Sequence, residues 1–319
     1  MTAADWQQFT PIIILGLFFL GLIFGSFLNV CIYRMPQGLS VVKPRSACPQ
    51  CKAAIRAYDN IPVLSWILLR GRCRDCKAAI SPRYAIVELL TAALFTASFL
   101  HFGFTLETAK ACVLSFLLTG LILTDADCHL LPDGLTLPGL ALGLGFSLLV
   151  PVDNFFSQML PLSLWRGISP EVSWRLASLL DSFMGAALGA AFIYGAGFVY
   201  LKWKGIEGMG FGDVKLMAMI GSFLGMRMTI LIIFLAAMSG AVFGLTIMLV
   251  VWRKRLRRRL QRGKEPAAIA RQRAWRSASL LYRQYEIPFG SFLGSVGLLM
   301  LFYGDTMVRW YMRLYGIYY

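Results

Sequence analysis

Residues 11–33, PIIILGLFFLGLIFGSFLNVCIY, hold no charged side chain over 23 consecutive positions. A helix of that length rises about 34 Å, enough to cross a hydrocarbon core of about 30 Å. A helix on the surface of a soluble domain keeps one face polar, and this stretch has none. The rest of the chain repeats the pattern. Charge-poor runs recur at Tyr84–Phe102, interrupted only by Glu88, and at Leu106–Thr124, with Glu107 and Lys110 at its start. Others are Gly134–Val152, Ser182–Leu201, Leu216–Met226, Met228–Trp252 and Ile287–Gly304. Leu216–Met226 is the shortest, bounded by Lys215 and Arg227, and its helix is expected to begin near Asp213. The reading is an all-α polytopic membrane protein with about eight transmembrane helices.

Composition agrees. Of 319 residues, 58% are apolar and 15% charged, and the mean hydropathy is +0.66. A soluble globular domain carries about 25% charged residues, so neither a disordered chain nor an ordinary soluble enzyme fits. The first ten residues contain Asp5 and no Lys or Arg. No small-residue cleavage signature follows, so the first run reads as a retained span and not as a cleaved signal. No internal repeat or low-complexity tract stands out.

The excess of 31 Lys and Arg over 16 Asp and Glu is unevenly spread. Arg34–Arg83 carries ten basic residues against Asp59 and Asp75, and Arg253–Arg276 carries eleven against Glu265. Asp153–Asp181 carries only Arg166 and Arg175, with three acids. By the positive-inside rule the first two segments face the cytoplasm. Eight spans put both termini outside and every basic loop on one side; an odd number would not. The Arg253–Arg276 run abuts a span, so it reads as an anchor for anionic membrane lipid, at about 1 kcal/mol per basic residue near the surface. A nucleic-acid partner is not expected.

In the first basic loop, Cys48-Pro49-Gln50-Cys51 is followed, after 21 intervening residues, by Cys73-Arg74-Asp75-Cys76. Two such knuckles suit one tetrahedral zinc site with four thiolates. Four cysteine ligands leave no open position, so the zinc is structural. A loop of about 50 residues has little core of its own, and metal binding would supply much of its folding free energy. Cys31, Cys112 and Cys128 lie in or beside spans and read as small apolar residues.

Acids inside or beside spans are costly and point to function. Thr124-Asp125-Ala126-Asp127 closes the third span, with Asp133 just beyond it. Gly208-Met209-Gly210-Phe211-Gly212-Asp213 opens the sixth, and Glu88 sits one turn into the second. Span parity brings all three groups to the cytoplasmic face. Two carboxyls within a few ångströms share a proton and can polarise a water for attack on a peptide carbonyl. Gly205, Gly208, Gly210 and Gly212 would let a substrate backbone approach. The competing readings are helix N-caps at Asp213 and Asp133, or an ion path. His101 and His129 are the only histidines, and neither lies in a nucleophile motif.

Taken together, these segments resemble the bifunctional type IV prepilin peptidases. The matching stretches are Gly25–Arg34, Tyr58–Trp66 between the two CxxC pairs, Arg83-Tyr84 with Val87–Thr91, Asp125–Asp127 with Leu131–Asp133, Gly210–Leu216, and Pro288-Phe289-Gly290. The resemblance runs from about residue 20 to 304. It implies a membrane aspartic protease that cuts a basic leader from prepilins or pseudopilins after a glycine on the cytoplasmic side. S-adenosylmethionine would then serve to methylate the new N-terminal amine. The catalytic pair maps to Asp125 and Asp213, with Gly210, Gly212, Asp127 and Asp133 supporting. The four-cysteine loop resembles the family's cytoplasmic domain, whose absence accompanies cleavage without methylation. Glu88 and Asp59 are candidates to contact the methyl donor or the substrate amine.

The implied partition is a first helix at 1–33, a cytoplasmic zinc domain inserted at 34–83, and a bacterial inner-membrane protease core at 84–304. The core holds a basic insert at 253–286, and a tail follows at 305–319. The insert and Asp153–Asp181 look longer than the compact family pattern. Phe155, Phe156, Leu160, Leu162 and Trp165 suit an interfacial helix, and Ala267–Leu281 has helix-forming composition. Rival readings are a peptidase without methylation, an ion-coupled transporter using the same acids, and a membrane-anchored zinc-ribbon adaptor.

Overall fold

The computed structural model describes residues 3–152, 169–205, 210–261, 266–284 and 288–314. Nine α-helices lie among them: α1 Ala3–Arg34, the short α2 Leu64–Leu68, α3 Arg83–Phe102, α4 Leu106–Cys128, α5 Asp133–Ser147, α6 Pro170–Lys204, α7 Phe211–Gln261, α8 Ala267–Gln284 and α9 Phe289–Leu314. No strand forms among the described residues; Ala47 with Ala54 and Arg72 with Ala79 make isolated antiparallel bridges. Six helices are long and apolar enough to cross a membrane: α1, α3, α4, α6, α7 and α9.

The eight expected spans map onto these helices with two differences. The expected span Gly134–Val152 is α5, whose 15 residues rise only about 22 Å. The two expected spans on either side of Arg227 lie in one helical element, α7, interrupted at Gly225. Gly225 has φ +79° and ψ 178°, backbone that only glycine adopts freely. The chain reverses there. A Cβ on Gly189 of α6 would lie 2.9 Å from the Met217 side chain and 3.2 Å from the Thr229 methyl. In an unbroken helix those two residues would stand about 18 Å apart along the axis. The first limb of α7 thus packs on α6 and the second limb returns beside it.

Two ends differ from the charge-free runs. Helix α6 begins at Pro170, ahead of the expected Ser182, and α9 continues past Gly304 to Leu314. Asp181, Asp305 and Arg309 delimit an apolar run without stopping a helix, because single charges leave backbone hydrogen bonding intact. The expected interfacial helix around Phe155 and Trp165 lies outside the described residues, as do Gly208 and Met209.

Packing directions alternate. Gly21 and Gly25 of α1 let the helix press onto α3, where a Cβ would come within 2.5 Å of the Ala92 Cα and 2.6 Å of the Glu88 Cα. Small residues four apart permit this close approach between membrane helices. These pairings run α1 against α3. Cys112 beside Phe95 reverses α3 against α4, and Gly139 against Leu117 and Met219 sets α5 between α4 and the first limb of α7. Phe243 rests on Phe292 with ring centroids 5.3 Å apart, while Met228 meets Gly304, so α9 opposes the second limb. The shared core is apolar, centred on Leu114, Leu118, Leu121, Ile220, Phe223, Ile232 and Leu293.

Beyond Phe243 the second limb runs to Gln261, about 27 Å further. Helix α8 folds back along it, with Ala270, Ala274 and Ala278 buried and Trp275 edge-on to Trp252 at 6.1 Å. The basic insert is therefore a helical hairpin. Helix formation in Ala267–Leu281 agrees with its composition.

Candidate active site and cysteine centre

One end of the bundle collects the acids. Helix α4 closes with His129 in left-handed conformation, its N–H donating to the Asp125 carbonyl. Asp125 and Asp127 thereby fall on the last turn, and the bend Leu130–Pro132 leads directly into α5. Asp213 lies in the first turn of α7, its N–H donating to the Gly210 carbonyl. Asp125 and Asp213 are both buried. Leu131 lies between their backbones, packed on Gly212 beside Asp213 and on Gly290 beside the Asp125 carboxyl.

Leu131 is the spacer that joins the two helix ends. A Cβ on Gly212 would lie 3.0 Å from the Leu131 Cβ, and one on Gly290 would lie 3.0 Å from both a Leu131 methyl and the Asp125 carboxyl carbon. Gly212 of the GxGD motif thus lets the backbone beside Asp213 close on Leu131, and Gly290, opening α9, lets backbone reach the Asp125 carboxyl. Ser291, the next residue, donates its N–H and its hydroxyl to Oδ2 of Asp125, the hydroxyl at 2.8 Å. The same hydroxyl also lies 3.0 Å from the Ile122 carbonyl. Motif reading reached Gly290 but not Ser291; a hydroxyl beside the last motif glycine was the available signal.

The supporting acids have separate partners. Asp127 bonds Arg83 at the start of α3. Asp133 takes the ammonium of Lys215 at 2.6 Å, tying α5 to α7. Neither Asp133 nor Asp213 is an N-cap: the cap of α5 is Pro132, and Asp213 lies inside α7, which begins at Phe211. The capping alternative is therefore not what these side chains do. A cavity of about 740 Å³ lined by Phe24, Phe95, Phe99, Phe104 and Phe116 lies toward the opposite end of α3 and α4. It is apolar and separate from the aspartates.

The four cysteines converge. The Sγ atoms of Cys48, Cys51, Cys73 and Cys76 all lie within 4.8 Å of one another, and Cys48 to Cys76 is 3.8 Å. A tetrahedron with Zn–S bonds of about 2.3 Å has edges of about 3.8 Å, so the donor set and its spacing fit zinc. Each knuckle is built alike. Cys48 N–H donates to Ala53 and Lys52 N–H to Cys48, as Cys73 does to Ala78 and Lys77 to Cys73. Lys52 and Lys77 both have positive φ. The two segments are in fact a repeat, Cys-x-x-Cys-Lys-Ala-Ala-Ile at 48–55 and 73–80, which corrects the reading of a chain without internal repeats.

The two remaining acids mark how this lobe is held. Asp59 accepts both Nε and an η nitrogen of Arg74, at 2.6 to 3.0 Å. The guanidinium holds its carboxyl below the usual carboxylate range. Glu88 is buried and accepts the Val63 N–H at 2.6 Å, with Gly25 of α1 packed against its Cα. Val63 itself has φ +59°, a strained value for a β-branched residue. Glu88 thus clamps the cysteine lobe to α1 and α3, while Asp59 is engaged within the lobe. The structure does not join either acid to Asp125 or Asp213 by a hydrogen bond among the described residues.

Comparison with known proteins gives a consistent result. A model of the bacterial peptidase A24 N-terminal domain matches residues 19–102, and one of the type IV leader peptidase family matches 112–245. A prepilin leader peptidase/N-methyltransferase of Myxococcus xanthus is 40% identical over 247 residues, covering 77% of this chain and 66% of that relative. One of Pseudomonas aeruginosa is 34% identical over 320 residues, covering 93% and 92%. One of Aeromonas salmonicida is 32% identical, covering 92% of each. No solved structure matches at comparable significance.

Proposed function

The chain belongs to the type IV leader peptidase family, and on that premise we propose that it cleaves the leader of prepilins or pseudopilins and N-methylates the residue this exposes. The observation that carries the proteolytic half is that buried Asp125 and Asp213, from different helices, are drawn to one place by Leu131, which packs on Gly212 beside Asp213 and on Gly290 beside the Asp125 carboxyl. A water between the carboxyls gives a proton to the ionised one as its oxygen attacks the scissile carbonyl. The protonated carboxyl gives its proton to the carbonyl oxygen. Collapse of the tetrahedral adduct breaks the C–N bond, and the leaving amine takes up a proton. Asp127 and Asp133, paired with Arg83 and Lys215, hold the ends of α3, α4, α5 and α7 around the dyad.

S-adenosylmethionine is the methyl donor this reading implies. The chain's part is to hold the new amine, without its extra proton, in line with the methyl group. Of the two candidate acids, Glu88 suits this better, since both oxygens of Asp59 are held by Arg74. Cys48, Cys51, Cys73 and Cys76 would hold a structural zinc that sets the shape of the inserted lobe, residues 34–83, and supplies no catalysis. A peptidase without methylation is the second reading; the intact four-cysteine lobe disfavours it. Ion-coupled transport leaves that lobe unexplained.

The enzyme sits in the bacterial inner membrane with lobe, dyad and basic hairpin on the cytoplasmic side. Counting α5 and both limbs of α7 as passes makes eight, and the alternating helix directions support that count. The hairpin's Arg253, Lys254, Arg257 and Arg258, just past the Trp252–Trp275 pair, suit anionic lipid headgroups. The cationic leader and apolar helix of a prepilin would meet at this interface, where the dyad lies.

The test is co-expression with a prepilin, following the leader by gel shift and the mature N-terminus by mass spectrometry. Wild type is expected to release the leader and add one methyl group. Asp125→Asn and Asp213→Asn are each expected to lower cleavage by at least about 1,000-fold at normal abundance. Cleavage surviving in either would remove the dyad.

A further inference from the structure

Ser291 is the one polar side chain from outside α4 that hydrogen-bonds Asp125 among the described residues, and no role has been assigned to it above. Its backbone N–H and its hydroxyl converge on a single oxygen, Oδ2, the hydroxyl proton being shared with the Ile122 carbonyl. Oδ1 of Asp125 has no hydrogen bond among the described residues. Gly290 permits the arrangement, because a Cβ there would stand 3.1 Å from Oδ2. Helix α9 is anchored behind it by Gly294 against Ile122 and Gly297 against Leu118, so the donors are fixed relative to α4.

We propose that Ser291 is a positioning residue for proteolysis: its two donors pin Oδ2 of Asp125 and leave Oδ1 as the oxygen that takes the proton of the attacking water. Donors aimed at one oxygen of a carboxylate hold it ionised and fix its plane. The shared proton of the dyad then resides on Asp213, which becomes the group that protonates the scissile carbonyl oxygen. The dyad is thereby made asymmetric before substrate arrives. The role of α9 is to deliver this pair of donors, which explains why a helix distant in sequence from both aspartates begins against Asp125. The inference rests on the Asp125/Asp213 reading of the site.

The experiment uses the full-length enzyme in detergent with two substrates: a prepilin, for cleavage, and an already cleaved pilin, for methyl transfer. The variants are Ser291→Ala, Ser291→Thr and Asp125→Asn. Ser291→Ala removes one donor of two and is expected to lower kcat for cleavage about 10- to 100-fold, with KM within about twofold. Ser291→Thr, which keeps the hydroxyl, is expected to restore kcat to within about threefold of wild type. Methyl transfer to the cleaved pilin is expected to be unchanged in Ser291→Ala and Ser291→Thr, which reports an intact fold. Wild-type cleavage in Ser291→Ala beside an inactive Asp125→Asn would overturn the positioning role and leave the dyad standing. Parallel loss of cleavage and methyl transfer in Ser291→Ala, or no rescue by Thr, would also overturn it. Active Asp125→Asn would instead remove the dyad reading on which the inference depends.

Discussion

Glu88 shows how a buried charge can serve two purposes. It sits at 8% exposure on a helix that crosses the apolar layer, where an unpartnered carboxylate would be expensive. Its partner is the amide of Val63, in a residue whose left-handed backbone costs about 1–3 kcal/mol. A glutamine could accept the same N–H, so a purely structural clamp would tolerate Glu88→Gln. If the acid also orients the amine for methylation, the amide cannot replace it. Glu88→Gln is expected to keep cleavage within about twofold of wild type and to lower methylation at least about tenfold, read from the mass of the mature N-terminus. Full methylation in this variant would reduce Glu88 to the clamp alone. Its importance was legible from its place in an apolar run. Its partner was not, because residues 25 apart in sequence were brought together by the lobe folding back over α3.

The cysteine lobe is an element whose parts are individually weak. Between Met35 and Pro82 the only regular structure among the described residues is two 3₁₀ turns and the five-residue α2. Its cohesion comes from the paired knuckles, Arg74 across Asp59, Trp66 donating to the Ile80 carbonyl, and Ser65 donating to the Tyr58 carbonyl. Such a lobe lacks the buried area to fold unaided, and a four-thiolate zinc would supply the missing free energy. Elemental analysis of purified protein is expected to find close to one zinc per wild-type chain and none in Cys48→Ser. The Cys48→Ser lobe is expected to become protease-sensitive while the α-helical signal of the bundle persists. Zinc absent from wild type would leave the lobe to these hydrogen bonds, the Arg74–Asp59 pair and the Glu88 clamp. At the same scale, Arg227 divides the apolar run of α7 into two expected spans. The physical cause of the division is instead Gly225, two residues earlier, whose backbone turns the chain.

Across the whole molecule the helices alternate in direction, and this alternation carries the topology. Asp125, Asp213, Gly290 and the beginning of α3 lie at one end; the Gly225 reversal and the α3–α4 turn lie at the other. Cysteines added at Gln261 and at Leu314, in a chain that keeps the four lobe cysteines, are accordingly expected to give new labelling by an impermeant thiol reagent from opposite faces of the membrane. Labelling from the same face would overturn the eight-pass arrangement. The amino-acid sequence by itself determined the apolar character of the spans, the clustering of basic residues in two segments, the cysteine pairs and the acids at span ends. These follow from local solvation and from ligand spacing, which a stretch of chain carries wherever it is. Only the tertiary structure decided that Ser291 serves Asp125, that Lys215 holds Asp133, and that Leu131 packs against both Gly212 and Gly290. Those contacts join residues up to 166 positions apart. They exist because helices with small residues at their crossings pack closely enough to set side chains from different spans against one another.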